Sequence, residues 1–278
     1  MQPSPWRNRL SFGLGTLGRD MTGALVSLYF MYYLTDVVDL DEGAIVIATG
    51  VIVATRIFDA LNDPLMGYVV DNTRSRFGKF KPWIVVGAVL WGAATLSLFT
   101  DWGVSGGGYV VLFAVLYVVW SVAYTINDIS YWGMLPSLSR DQTERESIGV
   151  IARICANIGL FVVVIAVVPV TTLLGEQFGS LTTGWFVFAA ALVVAMLAFQ
   201  SLTVLFTKQR VTSTRQATPL RELFSVIWRN DQLLWISIAM LIFMTGYTAT
   251  ASLGIYYFKY IYGDEGTYPV FAAVLAVA

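Results

Sequence analysis

Seven stretches of this chain, near residues 11–35, 44–70, 83–100, 109–136, 147–173, 183–206 and 232–261, are long and apolar enough to cross a bilayer, and an eighth begins near 268. A spanning helix needs about 20 mostly apolar residues. Hydrocarbon offers the backbone no hydrogen bonds, so such stretches must be helices. The connections are short, and their charge alternates. Arg7 and Arg9 precede the first stretch, Arg74, Arg76, Lys79 and Lys81 follow the second, and Arg140 and Arg145 follow the fourth. Lys208, Arg210, Arg215, Arg221 and Arg229 follow the sixth, whereas DVVDLDEG, TDWGVSGGG and GEQFGSL carry no Lys or Arg. The positive-inside rule then predicts a cytoplasmic N-terminus and a return to the cytoplasm at residue 207. The expected class is an all-α polytopic protein of the cell membrane.

Composition agrees. The 278 residues are 57% hydrophobic and 13% charged, where a soluble domain carries about 25% charged residues. A net charge of −1 gives no case for a nucleic-acid partner. One cysteine, Cys155, excludes an intramolecular disulfide, and the absence of histidine removes the usual general base and metal ligand. These features argue against a histidine-dependent enzyme and point to no cofactor. MQPSPWRNRLSFGLG starts like a secretory leader, but no small-residue cleavage site follows and the apolar run continues. It reads as an uncleaved first span.

Three segments result: a six-helix bundle over 1–206, a cytoplasmic linker over 207–231, and a seventh helix with part of an eighth over 232–278. In the linker Thr218 and Pro219 signal a helix start, and Leu220, Leu223, Phe224, Ile227 and Trp228 recur at helical spacing. That pattern predicts an amphipathic helix on the inner membrane surface. Two bundles of this kind commonly carry a weak internal repeat.

Charges interrupt the apolar runs. Arg19, Arg56 and Arg153 and Asp20, Asp59, Asp63 and Asp128 all fall inside spans. Each costs at least about 2.5 kcal/mol at the bilayer centre. By helical rise Asp20 lies about 14 Å, Asp59 about 17 Å, Asp128 about 12 Å and Arg153 about 9 Å from the predicted cytoplasmic end. Similar depth on four helices predicts an internal polar cavity of the kind that carries substrates or ions.

In RIFDALNDPLMG, Asp59 and Asp63 stand one turn apart with Asn62 beside them. Two such carboxylates repel unless a proton or a cation lies between them. Their hard oxygens suit Na⁺, Li⁺ or H⁺. An Arg56–Asp59 ion pair would be purely structural, and it leaves Asp63 unexplained. The seven charges sum to −1, which one monovalent cation neutralises. In AYTINDISYWGMLP, Tyr124, Asp128 and Trp132 share one face, with Thr125 and Tyr131 beside them. A carboxylate flanked by rings suits a sugar, accepting from its hydroxyls while a ring packs on its C–H face. Arg19, Asp20 and Arg153 could add donors and acceptors, or merely pair with one another.

GLGTLGRD, MYYLTDV, TRIFDALNDPLMGYVVDNTRSRFGKFKPWI, YTINDISYWGMLP, DQTERES, Arg153 and NDQLLW together resemble the glycoside–pentoside–hexuronide:cation symporters of the major facilitator superfamily. The resemblance implies a cation site for Na⁺, Li⁺ or H⁺ at Asp59, Asn62, Asp63 and Thr125. It implies sugar contacts at Asp20, Tyr124, Asp128, Trp132 and Arg153, with Arg19 standing where one member has a lysine. Gly67, Asp71, Arg74, Gly78 and Lys79 resemble the superfamily's cytoplasmic gate motif. Because members have twelve helices, the chain is expected to be a fragment. The implied activity is sugar symport by alternating access. A cation-coupled lipid carrier on the same fold is an alternative. An intramembrane Mg²⁺-dependent prenyltransferase is another, but it needs a second aspartate cluster where this chain has single aspartates.

Overall fold

The computed structural model describes residues 5–209 and 230–277, which form helices joined by short turns. The chain divides into two compact units, Met1–Ser213 and Thr214–Ala278. In the first, α1 (Pro5–Tyr32) runs on through a wide π-helical turn, Tyr33–Val37; α2 (Glu42–Asn72), α3 (Lys81–Phe99), α4 (Gly107–Met134), α5 (Gln142–Phe178) and α6 (Leu181–Phe206) follow. The predicted linker over 207–231 lies almost wholly outside the described residues, and its amphipathic helix from Thr218 to Trp228 entirely so.

Several helices outrun the apolar stretches because polar residues start them. Pro5 opens α1, where the missing N–H would lack an intrahelical partner anyway. The Asp41 carboxylate caps α2 by accepting from the Ala44 amide at 2.6 Å, and Asp141 caps α5 by accepting from Thr143 at 3.3 Å. The charged DQTERES segment is therefore the first turns of a 37-residue helix rather than a loop.

Among the described residues six helices are long and apolar enough to cross a membrane: α2 to α6, and Asp231–Tyr262 in the second unit. The first predicted span, α1, is missing from that set, since Arg19, Asp20 and its glycines and threonines dilute the apolar run. The reason is positional. Phe12, Leu25, Tyr29 and Leu34 are fully buried, and α1 packs against both α5 and α6. A helix enclosed by its neighbours needs little apolar surface for lipid.

Besides α1 with α5 and α6, the packed pairs are α2 with α4, α3 with α4, α3 with α6, and α5 with α6. Exchanging α1–α3 for α4–α6 maps α1/α5 onto α4/α2 and α1/α6 onto α4/α3, and leaves α3/α6 on itself. This packing has the symmetry expected of an internal repeat, with α5/α6 as the exception.

Van der Waals contact and polar bonds hold the bundle. A Cβ on Gly159 would stand 2.4 Å from the Leu17 carbonyl oxygen, and one on Gly87 would stand 2.7 Å from the Asn127 backbone nitrogen. Only glycine lets those backbones meet. Buried hydroxyls cross between helices, Thr16 donating to the Ala152 carbonyl at 2.8 Å and Thr203 to the Ser11 carbonyl at 2.6 Å. Asn127 and Gln200 exchange amide bonds at 2.8 and 3.2 Å. Rings fill one end, with Tyr33 4.9 Å from Phe99 and Phe30 5.5 Å from Phe113 between centroids. Basic residues tie the other: Arg9 pairs with Glu144, and Lys81 donates to the Val204 and Thr207 carbonyls at 2.7 and 2.8 Å.

In the second unit Asn230 caps α7 (Asp231–Tyr256), a π-helical turn spans Tyr257–Tyr262, and α8 (Tyr268–Val277) follows. Tyr268 is fully buried, and Phe258 and Phe271 meet at 5.4 Å.

Candidate functional site

Two polar groupings meet on α4. The first joins α4 to α2. Arg56 Nη2 donates to the Tyr117 hydroxyl at 3.2 Å, the Ser121 hydroxyl donates to Asp59 Oδ1, and the Thr125 hydroxyl donates to Asp63 Oδ1 at 3.0 Å. The partners are 61, 62 and 62 residues apart in sequence. Such a constant offset means parallel helices, one turn of α2 facing one turn of α4 at each rung.

Asp59 is the more enclosed carboxylate. Its side chain is 16% exposed, and its second oxygen lies 3.5 Å from Arg56 Nη1. The structural Arg56–Asp59 pair is therefore formed, but it is long and Arg56 is 47% exposed. Asp63, which that pairing left unaccounted for, takes its hydrogen bond from Thr125. Asn62 lies in the same turn, and its Nδ2 is buried with no hydrogen-bond partner. Among the described residues no group of three His, Cys, Asp or Glu side chains could hold a metal ion. The polar groups here are two carboxylates, one amide and two hydroxyls, which offer only hard oxygen ligands.

The second grouping joins α4 to α1. Arg19 is 3% exposed, and its Nη2 donates to Asp128 Oδ1 at 2.6 Å. Asp20 Oδ2 lies 3.9 Å from Arg19 Nε. Arg19 Nε and Nη1 and Asp20 Oδ2 are buried without hydrogen-bond partners. Native proteins leave few such groups, and a cluster of them marks a place where a polar ligand can bind. The Arg19 guanidinium also lies 5.3 Å from the Tyr131 ring centre and 5.5 Å from that of Trp132.

The aromatic residues around this grouping pack against one another and against the arginines. Trp132 carries Arg153 over its ring at 4.9 Å in addition to Arg19, because the electron-rich indole face attracts cations. Arg153 makes this ring contact and, among the described residues, no ion pair, so the anticipated mutual pairing is that of Arg19 with Asp20. Tyr124 stacks on Trp120 at 5.7 Å and meets the edge of Trp91 at 5.2 Å. Tyr131 is fully buried and donates to the Phe12 carbonyl, a packing role.

The gate-motif residues lie at the far end of α2. Lys79 Nζ pairs with Asp71 at 2.8 Å, and Gly78 turns the chain at φ +89°, a left-handed conformation suited to glycine. Gly67, Asp71 and Lys79 line a cleft of about 360 Å³ with Phe80, Ile129 and Gly133, while Arg74 is exposed in the loop. Asp71 is twelve residues beyond Asp59, about 18 Å along the helix.

Sequence reasoning missed Ser121 and Tyr117. The signal was present, since Tyr117, Ser121 and Thr125 repeat every fourth residue as Asp59 and Asp63 do. Nothing in one helix's spacing says which face its neighbour presents.

The chain is 36% identical to the lactose permease of Lactobacillus delbrueckii subsp. bulgaricus over 275 residues, covering 94% of this chain and 44% of that protein. It is 31% identical to the raffinose carrier protein of Pediococcus pentosaceus over 284 residues, 96% of this chain and 44% of that protein. With the isoprimeverose transporter of Lactiplantibacillus pentosus it shares 28% identity over 260 residues, 92% and 53% of the two chains. The chain therefore spans less than half the length of the lactose permease and the raffinose carrier. Residues 11–278 match the family described as MFS/sugar transport protein, and the chain belongs to that family.

Proposed function

We propose that this protein is a sugar transporter of the plasma membrane, working by alternating access and coupled to Na⁺, Li⁺ or H⁺. In this reading the N-terminus is cytoplasmic and the helices of 1–206 form one of two facing bundles. Asp59, Asn62, Asp63 and Thr125 hold the cation. Arg19, Asp20, Tyr124, Asp128, Trp132 and Arg153 contact the sugar, and Gly67, Asp71, Arg74, Gly78 and Lys79 gate the cytoplasmic side. The names of the lactose, raffinose and isoprimeverose carriers support the sugar.

One observation carries the coupling: Thr125, bonded to Asp63, and Asp128, bonded to Arg19, are three residues apart on α4. A cation between the α2 carboxylates removes their repulsion and takes over the Thr125 oxygen. That adjusts α4 against α2 and, through the same helix, the position of Asp128. Linkage then requires sugar to raise cation affinity by the factor by which the cation raises sugar affinity. Arg19 and Asp20 have donors and an acceptor available for sugar hydroxyls, and the Arg153 side chain must leave the Trp132 face for a pyranose to stack there.

The test is counterflow on the full-length protein with a panel of glycosides, pentosides and hexuronides in Na⁺, Li⁺ or choline. Asp59→Cys is expected to abolish Na⁺ stimulation, and Asp128→Cys to abolish sugar binding. Equal sugar affinity in Na⁺, Li⁺ and choline at fixed pH would refute Na⁺ and Li⁺ coupling and leave the proton.

A further inference from the structure

Ser121, which donates to Asp59, is not among the residues to which the family resemblance assigns a cation role. Ser121 and Thr125 are one turn apart on α4, and Asp59 and Asp63 are one turn apart on α2. The two hydroxyls therefore serve one carboxylate each. Both hydroxyl residues are buried, Ser121 at 1% and Thr125 at 3% exposure. Enclosed by packing and confined to a helix, their oxygens cannot move far from the carboxylates.

A hydroxyl has one hydrogen to donate and two lone pairs to offer, whereas a carboxylate only accepts. Facing Asp59 alone, Ser121 spends its hydrogen on the carboxylate. Facing a cation held by that carboxylate, the same oxygen offers a lone pair once the hydrogen turns away. The carbonyl one turn back on the helix receives it, as the Ile126 carbonyl already receives the Ser130 hydroxyl at 2.7 Å. The change is one rotation of a small side chain, with no backbone movement.

We propose that Ser121 sets the ion preference of the site at Asp59 and Asp63 by supplying a hard oxygen that Na⁺ needs more than Li⁺ does. The assignment rests on the reading of those two carboxylates as a cation site. A larger ion takes more oxygen ligands at longer distances, so removing one oxygen costs Na⁺ more than Li⁺. Ser121 is at the Asp59 end of the paired carboxylates and Thr125 at the Asp63 end. Losing either unbalances a set of five side chains.

NaCl and LiCl titrated calorimetrically into the purified full-length protein in choline buffer test this. Ser121→Ala is expected to weaken Na⁺ binding about ten-fold and Li⁺ binding about two-fold, while Ser121→Thr retains Na⁺ affinity within about two-fold. Ser121→Cys keeps the size but offers a soft sulfur, so it should behave like alanine. It decides the matter if the alanine variant does not fold. Equal shifts for both ions, no shift, or a cysteine variant that binds Na⁺ like the native protein would overturn the assignment. Asp59→Cys separates the two levels of the argument. If it abolishes Na⁺ binding while Ser121→Ala changes nothing, only the role of Ser121 is wrong. If it leaves Na⁺ binding intact, the cation site itself is misplaced and the Ser121 assignment falls with it.

Discussion

Replacing Asp128 by asparagine removes the negative partner from a guanidinium that is 3% exposed. Among the described residues Asp20, at 3.9 Å, is then the remaining carboxylate partner of Arg19, and two of the Arg19 nitrogens already lack hydrogen-bond partners. Breaking a buried ion pair by removing one member costs about 3–5 kcal/mol, mostly from the charge left behind. Asp128 is itself 31% exposed, which places the expected loss near the low end of that range. A loss of about 3 kcal/mol lowers the melting temperature by about 5 °C or less, because the melting entropy grows with chain length. Thermal unfolding of the full-length protein in detergent, followed by tryptophan fluorescence, measures it. Arg19→Gln combined with Asp128→Asn removes both charges and should recover about half or more of the stability lost in Asp128→Asn, a coupling of about 1.5–3 kcal/mol. If the double variant is no more stable than the single one, the cost does not come from an uncompensated Arg19 charge, and the reasoning fails.

Two further expectations concern how the bundle is held. Gly159→Val puts a branched side chain against the Leu17 carbonyl, 2.4 Å from the Cβ position; it should cost about 2 kcal/mol or more, seen as earlier unfolding, and native-like stability would show that α1 and α5 can separate freely. Gln200→Leu leaves the buried Asn127 amide with the Ile84 carbonyl at 3.0 Å as its remaining partner; a loss of about 1–3 kcal/mol is expected, smaller in Asn127→Leu/Gln200→Leu, and equal melting temperatures for the single and double variants would refute a paired amide.

Most of the fold could be read in advance. The apolar runs become α2 to α6 and α7 within a few residues, because the bilayer dictates both helix and length. Boundaries were misjudged where polar residues continue a helix into water, as at Asp41 and Asp141, since caps leave no trace in hydropathy. The charged layer was legible for the same energetic reason: Arg19, Asp20, Asp59, Asp63 and Asp128 stand out against hydrocarbon. Their partners were less so. Arg153 could as easily have met Asp20 as the Trp132 ring, and spacing within one helix does not choose between them.

The amino-acid sequence alone determined that this is a bundle of membrane helices, and which residues share a face on each one, because both follow from solvation and the 3.6-residue turn. Only the tertiary structure decided which faces meet. Whether Asp59 finds Ser121, whether Arg19 finds Asp128, and whether the polar α1 is enclosed by α5 and α6 depend on how far each helix is rotated about its axis. That rotation is set by contacts such as Gly159 on Leu17 and Gly87 on Asn127. Those contacts join residues more than a hundred and about forty positions apart in the chain, a separation that no local pattern records.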